Sequence, residues 1–104
     1  MTTKDYHPQP IDTVGLVLSD ALQDLTERLA ENNHDTWAIT RLDAGWCWGP
    51  RRDDERKEHQ DLVPYAELSE EEKNVDRATV TATLKAVLAL GYRIEGPSTT
   101  PPRR

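Results

Sequence analysis

Apolar residues recur at helical spacing in two stretches of the chain. The first stretch contains three leucines spaced three and four residues apart: Leu22, Leu25 and Leu29. This spacing places them on one face of an α-helix, with Ser19 as a favourable N-cap and Gly45 at the position after the helix end. We therefore predict a helix over about residues 19–44. Asn32 and Asn33 are poor helix formers in its middle, so a kink or a division into two helices stays open.

The second stretch lies near the C-terminus and ends at a glycine, a residue suited to the position after a helix. Its apolar positions are Val80, Leu84, Val87 and Leu88. Ser69 followed by Glu72 matches a capping box, in which each side chain bonds the backbone N–H of the other residue. This pattern predicts a helix over about residues 69–90. Asp76 offers a second cap, so a short helix followed by a longer one from about residue 77 is an alternative.

A short aromatic segment, Trp46–Trp48, follows the first helix and alternates Trp, Cys and Trp. If the segment is extended, both indoles lie on one face, and we expect Cys47 to be a small buried hydrophobe. Tyr92–Glu95 is strand-like, and we predict that it pairs with the aromatic segment. The predicted fold is therefore mainly α: a small helical domain with two principal helices packed together and a minimal β pairing.

The two ends of the chain have the composition of extended or disordered segments. Pro8 and Pro10 disfavour helix in residues 1–10. Residues 96–104, rich in Pro and Thr, are predicted to form a disordered tail, which leaves one domain over residues 1–95. Because the first residues contain no apolar segment of the secretory kind, we expect no signal peptide.

Charge and composition restrict the classes of partner. The net charge of -6 over 104 residues argues against nucleic acid, whose binding begins with a basic surface. The apolar run Ala86–Leu90 is far shorter than the ~20 residues that span a bilayer, so we expect no membrane partner. The single cysteine makes no internal disulfide, which suits the reducing cytoplasm.

A candidate binding edge lies on the first helix. His34, Trp37 and Arg41 are three and four residues apart, which places them at the edge of the buried face, where a side chain is half exposed. A planar base stacks on an indole, a guanidinium binds phosphate bidentately, and His34 adds a polar contact. Alternatively, Trp37 packs wholly in the core and Arg41 forms a surface ion pair.

Four further candidates for ligand contacts follow in the aromatic segment and the charged loop after it: Trp46, Trp48, Arg51 and Arg52. For the two tryptophans the alternative is structural, as a plug between the two helices. The loop itself, Arg51–Glu58, holds four positive and four negative charges. Such a composition is also typical of a solvated surface whose charges pair with one another.

The chain lacks the patterns of an enzyme or of a metal protein. His7, His34 and His59 lie far apart and have no HxxxH-type spacing. Cys47 has no histidine near it in sequence, and there is no phosphate-binding glycine loop. We therefore expect neither catalysis nor a cofactor.

Five segments together resemble the ryanodine receptor repeat, or RyR domain. They are YHPQPIDT (6–13), LAENNHDTWAITR (29–41), GWCWGPRRDD (45–54), LVPY (62–65) and TLKAVLALGYRI (83–94). These segments cover nearly the whole chain in the family's order and spacing, with Trp48 where the family more often carries Tyr. The chain carries one copy of the repeat, and the resemblance therefore implies a domain of prokaryotic or phage type, where such domains occur singly.

The resemblance implies a mostly helical fold with a small strand pairing. It also implies binding of adenine nucleotides through the tryptophan of the motif that here reads HDTW. We therefore expect a non-enzymatic module that recognises an adenine-containing or ADP-ribose-like nucleotide by tryptophan stacking. The alternative is a structural or protein-interaction module that uses its tryptophans for packing. Since the family's repeats occur as pairs, we also expect a homodimer.

Overall fold

Two long helices packed against each other form the frame of the computed structural model, which describes residues 5–96. Helix α1 spans Asp20–Asp43, and helix α2 spans Glu70–Ala89. Both predicted helices are confirmed, and each is one continuous helix. The structure therefore shows neither of the two alternatives, a division of α1 at Asn32-Asn33 or a separate helix that begins near residue 77.

Capping residues end the helices where the sequence predicts. The Ser19 hydroxyl accepts a hydrogen bond at 3.3 Å from a backbone N–H in the first turn of α1. Ser69 and Glu72 form a complete capping box at the start of α2. The glycines that follow the helices, Gly45 and Gly91, have φ angles of 93° and 97°, a left-handed conformation that costs glycine little.

The strand pairing differs from the prediction. Strand β1, Cys47–Trp48, pairs in parallel with strand β2, Glu58–His59. Tyr92–Glu95 belongs to no strand in the described part of the chain. The minimal β pairing is therefore confirmed, but its predicted partner was wrong.

The charged loop supplies the partner because it folds back on itself. The Asp53 carboxylate accepts hydrogen bonds from the backbone N–H groups of Glu55 and Arg56, both at 3.1 Å. Lys57 adopts a positive φ of 55°, and its ammonium group donates to the Ala44 carbonyl at 3.0 Å. A partner about ten residues away closes a smaller loop, at lower entropic cost, than one about 45 residues away.

A short 3-10 turn, Tyr65–Glu67, packs against α1 and closes a small core. At the centre of this core is Ala30 of α1, which is fully buried against Tyr65 and Leu68. The other buried apolar side chains among the described residues are Leu18, Leu22 and Val80. Ala30 therefore sets how closely the turn approaches the helix.

Polar side chains connect the two helices beside this core. Arg77 of α2 donates hydrogen bonds to both carboxylate oxygens of Glu27 in α1, at 2.7 and 2.9 Å. The Tyr65 hydroxyl donates another at 2.9 Å. These donors, Arg77 above all, hold the pKa of Glu27 at about 2. Asn33 of α1 also donates to Asp76 of α2, at 2.8 Å.

The terminal predictions are only partly covered by the described residues. Residues 5–19 contain no helix or strand, and Leu18 anchors this lead-in to the core. Residues 1–4 and residues 97–104 of the predicted tail lie outside the description, so the tail and the domain limits stay predictions. In residues 5–96, neither helix has the length and apolar character needed to cross a membrane.

Replacing Ala30 with Val should destabilise the domain, because the added methyl groups meet the 3-10 turn. Overpacking of this kind costs about 1–3 kcal/mol. The matched control is Ala82→Val at an exposed position of α2, which loses only helix propensity, less than about 0.7 kcal/mol. Urea unfolding followed by circular dichroism compares the two variants. Equal destabilisation would show that Ala30 is not close-packed.

Candidate functional site

A cleft of about 320 Å³ is lined by α1, by the segment around β2 and by the first turns of α2. Its volume lies near the lower end of the ~300–1,000 Å³ usual for small-molecule sites. Its basic and aromatic residues are His34, Trp37, Arg41, Arg52 and His59. Its acidic residues are Asp61, Glu72 and Asp76. The cleft therefore combines stacking surfaces with charges of both signs.

Trp37 is half-buried in this cleft, with two histidine rings against it. The His34 ring stacks at a centroid distance of 5.6 Å, and the His59 ring meets the indole edge-on at 5.0 Å. The guanidinium carbon of Arg41 lies 5.6 Å from the indole centroid. Trp37 thus lies at the edge of the core, as the helical spacing predicts, and not wholly inside it.

Arg41 is the central cation of the cleft. Its guanidinium carbon lies 4.5 Å from the centroid of the Trp46 ring, in addition to its contact with Trp37. Arg41 forms no ion pair with any described residue. The alternative prediction, that Arg41 forms a surface ion pair, therefore does not hold within residues 5–96. The guanidinium carbon of Arg52 lies 5.9 Å from the same Trp46 ring, and Arg52 also pairs with Asp54 at 2.8 Å.

His34 is more buried than predicted, with 3% of its surface exposed. Its Nε2 atom lies 2.7 Å from the Val63 carbonyl oxygen. Because a carbonyl only accepts hydrogen bonds, this nitrogen carries the hydrogen. The expectation of a half-exposed ring was wrong, since the leucine stripe of α1 does not reveal that residues 62–65 pack over this side of the helix. Part of the ring still lines the cleft.

Trp46 and Trp48 lie at different surfaces. Trp46, which precedes β1, is half-buried, with its ring centroid 6.3 Å from that of His59. Trp48 is 56% exposed and lines a separate groove, and Cys47 is also exposed. The predictions of a buried Cys47 and of a plug that includes Trp48 were therefore wrong. Both residues of β1 are exposed, since this two-residue strand is not covered by other described elements.

The charged loop brings only one of its two candidate arginines to the cleft. Arg52 lines it, whereas Arg51 is exposed and lies outside its lining. Arg52 pairs with Asp54 at 2.8 Å, and Arg56 pairs with Glu58 at 3.6 Å. The alternative of a self-paired loop therefore describes much of this segment.

Three carboxyl groups that sequence reasoning did not select as site residues complete the cleft: Asp61, Glu72 and Asp76. Burial, followed by a hydrogen bond with Glu72, raises the pKa of Asp61 to about 6. The same hydrogen bond lowers the pKa of Glu72. In the sequence, Glu72 and Asp76 have the pattern of helix caps, and this pattern does not indicate that they also line the cleft.

His59 was also missed, because it stands alone in a charged segment. Its ring is nearly buried, with 9% of its surface exposed, and its Nδ1 accepts a hydrogen bond from the Asp61 backbone N–H at 3.0 Å. Burial, and then the charges of Arg41 and Arg52, lower the pKa of His59. The lowered pKa favours the neutral ring, in agreement with an Nδ1 that accepts a hydrogen bond.

The chemistry of the cleft suits a planar anionic molecule that also carries hydroxyl or amino groups. Indole and guanidinium planes accept a flat ring, guanidinium groups bind anionic oxygens, and carboxylates accept hydrogen bonds from hydroxyl or amino donors. Among residues 5–96 there is no group of three or more potential metal ligands.

Replacing Asp61 with Asn should stabilise the domain at pH 7.5 relative to the wild type. The folded-state pKa of about 6 lies above the ordinary value of 3.8, so the stability that protonated Asp61 provides is complete below about pH 4 and is lost as the pH rises through 6. The neutral amide of Asp61→Asn does not ionise and so avoids this loss. The melting temperature of the variant should therefore exceed that of the wild type at pH 7.5, and the difference should shrink as the pH falls to 4. Asp24→Asn, at an exposed site on α1, is the control, and an equal gain in both variants would contradict the assignment.

One comparison with known protein families bears on this arrangement. The model of the RyR domain matches residues 6–96, which include both helices, the strand pair and every residue of the cleft. The match confirms the resemblance to the ryanodine receptor repeat at the level of the family. The chain belongs to the RyR domain family.

Proposed function

We propose that this chain is a non-enzymatic module that binds an adenine-containing or ADP-ribose-like nucleotide by tryptophan stacking. The observation that carries the proposal is the cleft, where the half-buried indole of Trp37 lies beside the guanidinium of Arg41, which has no ion-pair partner in residues 5–96. We further propose a domain of prokaryotic or phage type that acts in the cytoplasm. Nucleic acid and membranes are not among its proposed partners.

The base would bind beside the indole and guanidinium groups of the cleft. The guanidinium carbon of Arg41 lies 5.6 Å from the Trp37 centroid and 4.5 Å from the Trp46 centroid, so this cation contacts both indoles. Since His34 and Arg41 already contact Trp37, the base would cover the part of the indole that remains exposed in the cleft. Stacking of a base on an aromatic ring contributes roughly 1–3 kcal/mol.

The phosphate would bind to Arg41. Its guanidinium group is positioned by two indoles and has no carboxylate partner among the described residues. Because the guanidinium group is already held in place, binding loses less side-chain entropy. One stack with one or two charge-assisted contacts gives a net binding free energy of about 6–8 kcal/mol, which corresponds to micromolar affinity.

The carboxyl groups of the cleft would bind the sugar. Asp61, Glu72 and Asp76 line the same cleft as Trp37, and ribose hydroxyls are suitable donors for carboxylate oxygens. These groups also repel additional phosphates. The balance of charges therefore favours a ligand with few phosphates and free hydroxyl groups.

Replacing Trp37 with Ala should weaken binding of AMP and ADP-ribose by at least about tenfold, because the stacking surface is lost. Isothermal titration calorimetry measures the effect. The matched control is Trp48→Ala, which removes an exposed indole outside the cleft and should leave affinity unchanged. Because Trp37 is half-buried, its removal should cost less than the ~3–5 kcal/mol of a core tryptophan. Absence of binding to the wild type, or equal losses in both variants, would contradict the proposal.

A structural or protein-interaction module is the second candidate, and a separate surface favours it. Trp48 and Leu42 are 56% and 54% exposed, and both line the groove that also contains Cys47 and Leu62. Clustered exposed apolar side chains are typical of interaction surfaces. We propose that a second copy of the chain covers this groove, which gives a homodimer.

If copies pair through this groove, sedimentation equilibrium at high micromolar concentration should give twice the monomer mass of 11.8 kDa. Trp48→Lys should return the mass to that of the monomer, because a charge then replaces the apolar contact. Ala82→Lys on the exposed side of α2 should leave the dimer intact. A wild-type protein that sediments as a monomer rejects this candidate.

A further inference from the structure

We propose that His59 is the neutral hydrogen-bond donor of an anion subsite, which binds a ligand phosphate oxygen together with Arg41 and Arg52. This inference rests on the proposed function and names the ligand group that this part of the cleft recognises. It assigns a role to a nearly buried polar side chain of the cleft that sequence reasoning did not select.

One nitrogen of the His59 ring has a partner, and the other is left to donate. Nδ1 accepts a hydrogen bond from the Asp61 backbone N–H at 3.0 Å. A neutral imidazole has one acceptor nitrogen and one donor nitrogen, so the hydrogen lies on Nε2. No described residue accepts a hydrogen bond from Nε2.

The Nε2–H group remains accessible from the cleft. The ring is about nine-tenths buried, yet no side-chain nitrogen or oxygen among the described residues is both sealed from solvent and unpaired. Nε2 therefore keeps access to solvent, and His59 lines the cleft. A nearly buried donor with no protein partner is a favourable site for an acceptor atom of a ligand.

Neighbouring rings hold this donor in place. The His59 centroid lies 5.0 Å from that of Trp37 and 6.3 Å from that of Trp46. The bond from the Asp61 backbone fixes the orientation of the ring further. The donor is thus preorganised, and binding an acceptor needs little reordering.

The surrounding charges indicate an anionic acceptor. The guanidinium carbons of Arg41 and Arg52 lie 4.5 and 5.9 Å from the Trp46 centroid, and Trp46 adjoins His59. Both arginines are close enough to act on the ring and lower its pKa, whereas Glu72 and Asp54 act in the opposite direction. Two guanidinium groups with a neutral N–H are suited to a phosphate group. Because Arg52 is already paired with Asp54, the subsite holds a single phosphate better than a long phosphate chain.

Two substitutions at His59 separate its donor from its acceptor. The amide oxygen of His59→Asn lies near the position of Nδ1 and preserves the bond from the Asp61 backbone, but it leaves no donor at Nε2. The amide nitrogen of His59→Gln lies near Nε2 and keeps a donor there. We expect His59→Asn to weaken AMP binding about tenfold and to leave adenosine binding unchanged. His59→Gln should stay within about threefold of the wild type for AMP.

Measurements on the wild-type protein do not depend on whether a variant folds. Long-range ¹H–¹⁵N correlation spectra identify the protonated ring nitrogen, and titration with inorganic phosphate follows the subsite without the base. We expect the hydrogen of His59 on Nε2 and a phosphate-dependent shift of that nitrogen, which Arg41→Gln abolishes. A hydrogen on Nδ1 would overturn the proposal.

The remaining outcomes distinguish this proposal from the proposed function. If AMP binds the wild type and His59→Asn equally and leaves the Nε2 resonance unmoved, the anion subsite is rejected and nucleotide binding stands. If phosphate shifts Nε2 while neither AMP nor ADP-ribose binds, the subsite stands and the nucleotide proposal is rejected. No response to any of the three ligands rejects both.

Discussion

The packing of one short segment, residues 62–68, against α1 determines the rest of the structure. At its centre is Ala30, whose methyl group is fully buried where Tyr65 and Leu68 meet the helix. Around this contact the Val63 carbonyl bonds to the buried His34 ring, and the Tyr65 hydroxyl bonds to Glu27. The same packing holds the residues just before the segment beside Trp37, and the cleft exists as a consequence.

Local features of the sequence predict the helices, and long-range packing decides the site. Ser19 and the capping box at Ser69 act within one turn, so they identify helix starts without knowledge of the fold. The spacing of Trp37 and Arg41 correctly predicts that both lie at one edge of α1. The burial of His34, by contrast, depends on a segment about 29 residues away in the chain that helical periodicity does not reveal. Trp48 shows the same limit, because alternation in a strand does not say which side will be covered.

The charge distribution of the cleft gives it a preference that tryptophan stacking alone does not provide. Arg41 contributes a cation between two indoles, while burial and a hydrogen bond with Glu72 raise the pKa of Asp61 to about 6. Under the proposed function, the anionic and hydroxyl groups of one ligand would have different binding partners in the same small volume. The ligand that we propose is accordingly a compact nucleotide with one anionic end.

The most direct test of the central claim is a titration of the ¹⁵N-labelled protein with ADP-ribose, followed in ¹H–¹⁵N correlation spectra. If the cleft is the binding site, the indole N–H of Trp37, the side chain of Arg41 and the backbone amides of residues 59–61 should shift together and saturate at micromolar to high micromolar ligand. The indole N–H of Trp48 should not move. Shifts confined to the surface around Trp48, or no saturable shift at all, would contradict the assignment of the cleft as a nucleotide site.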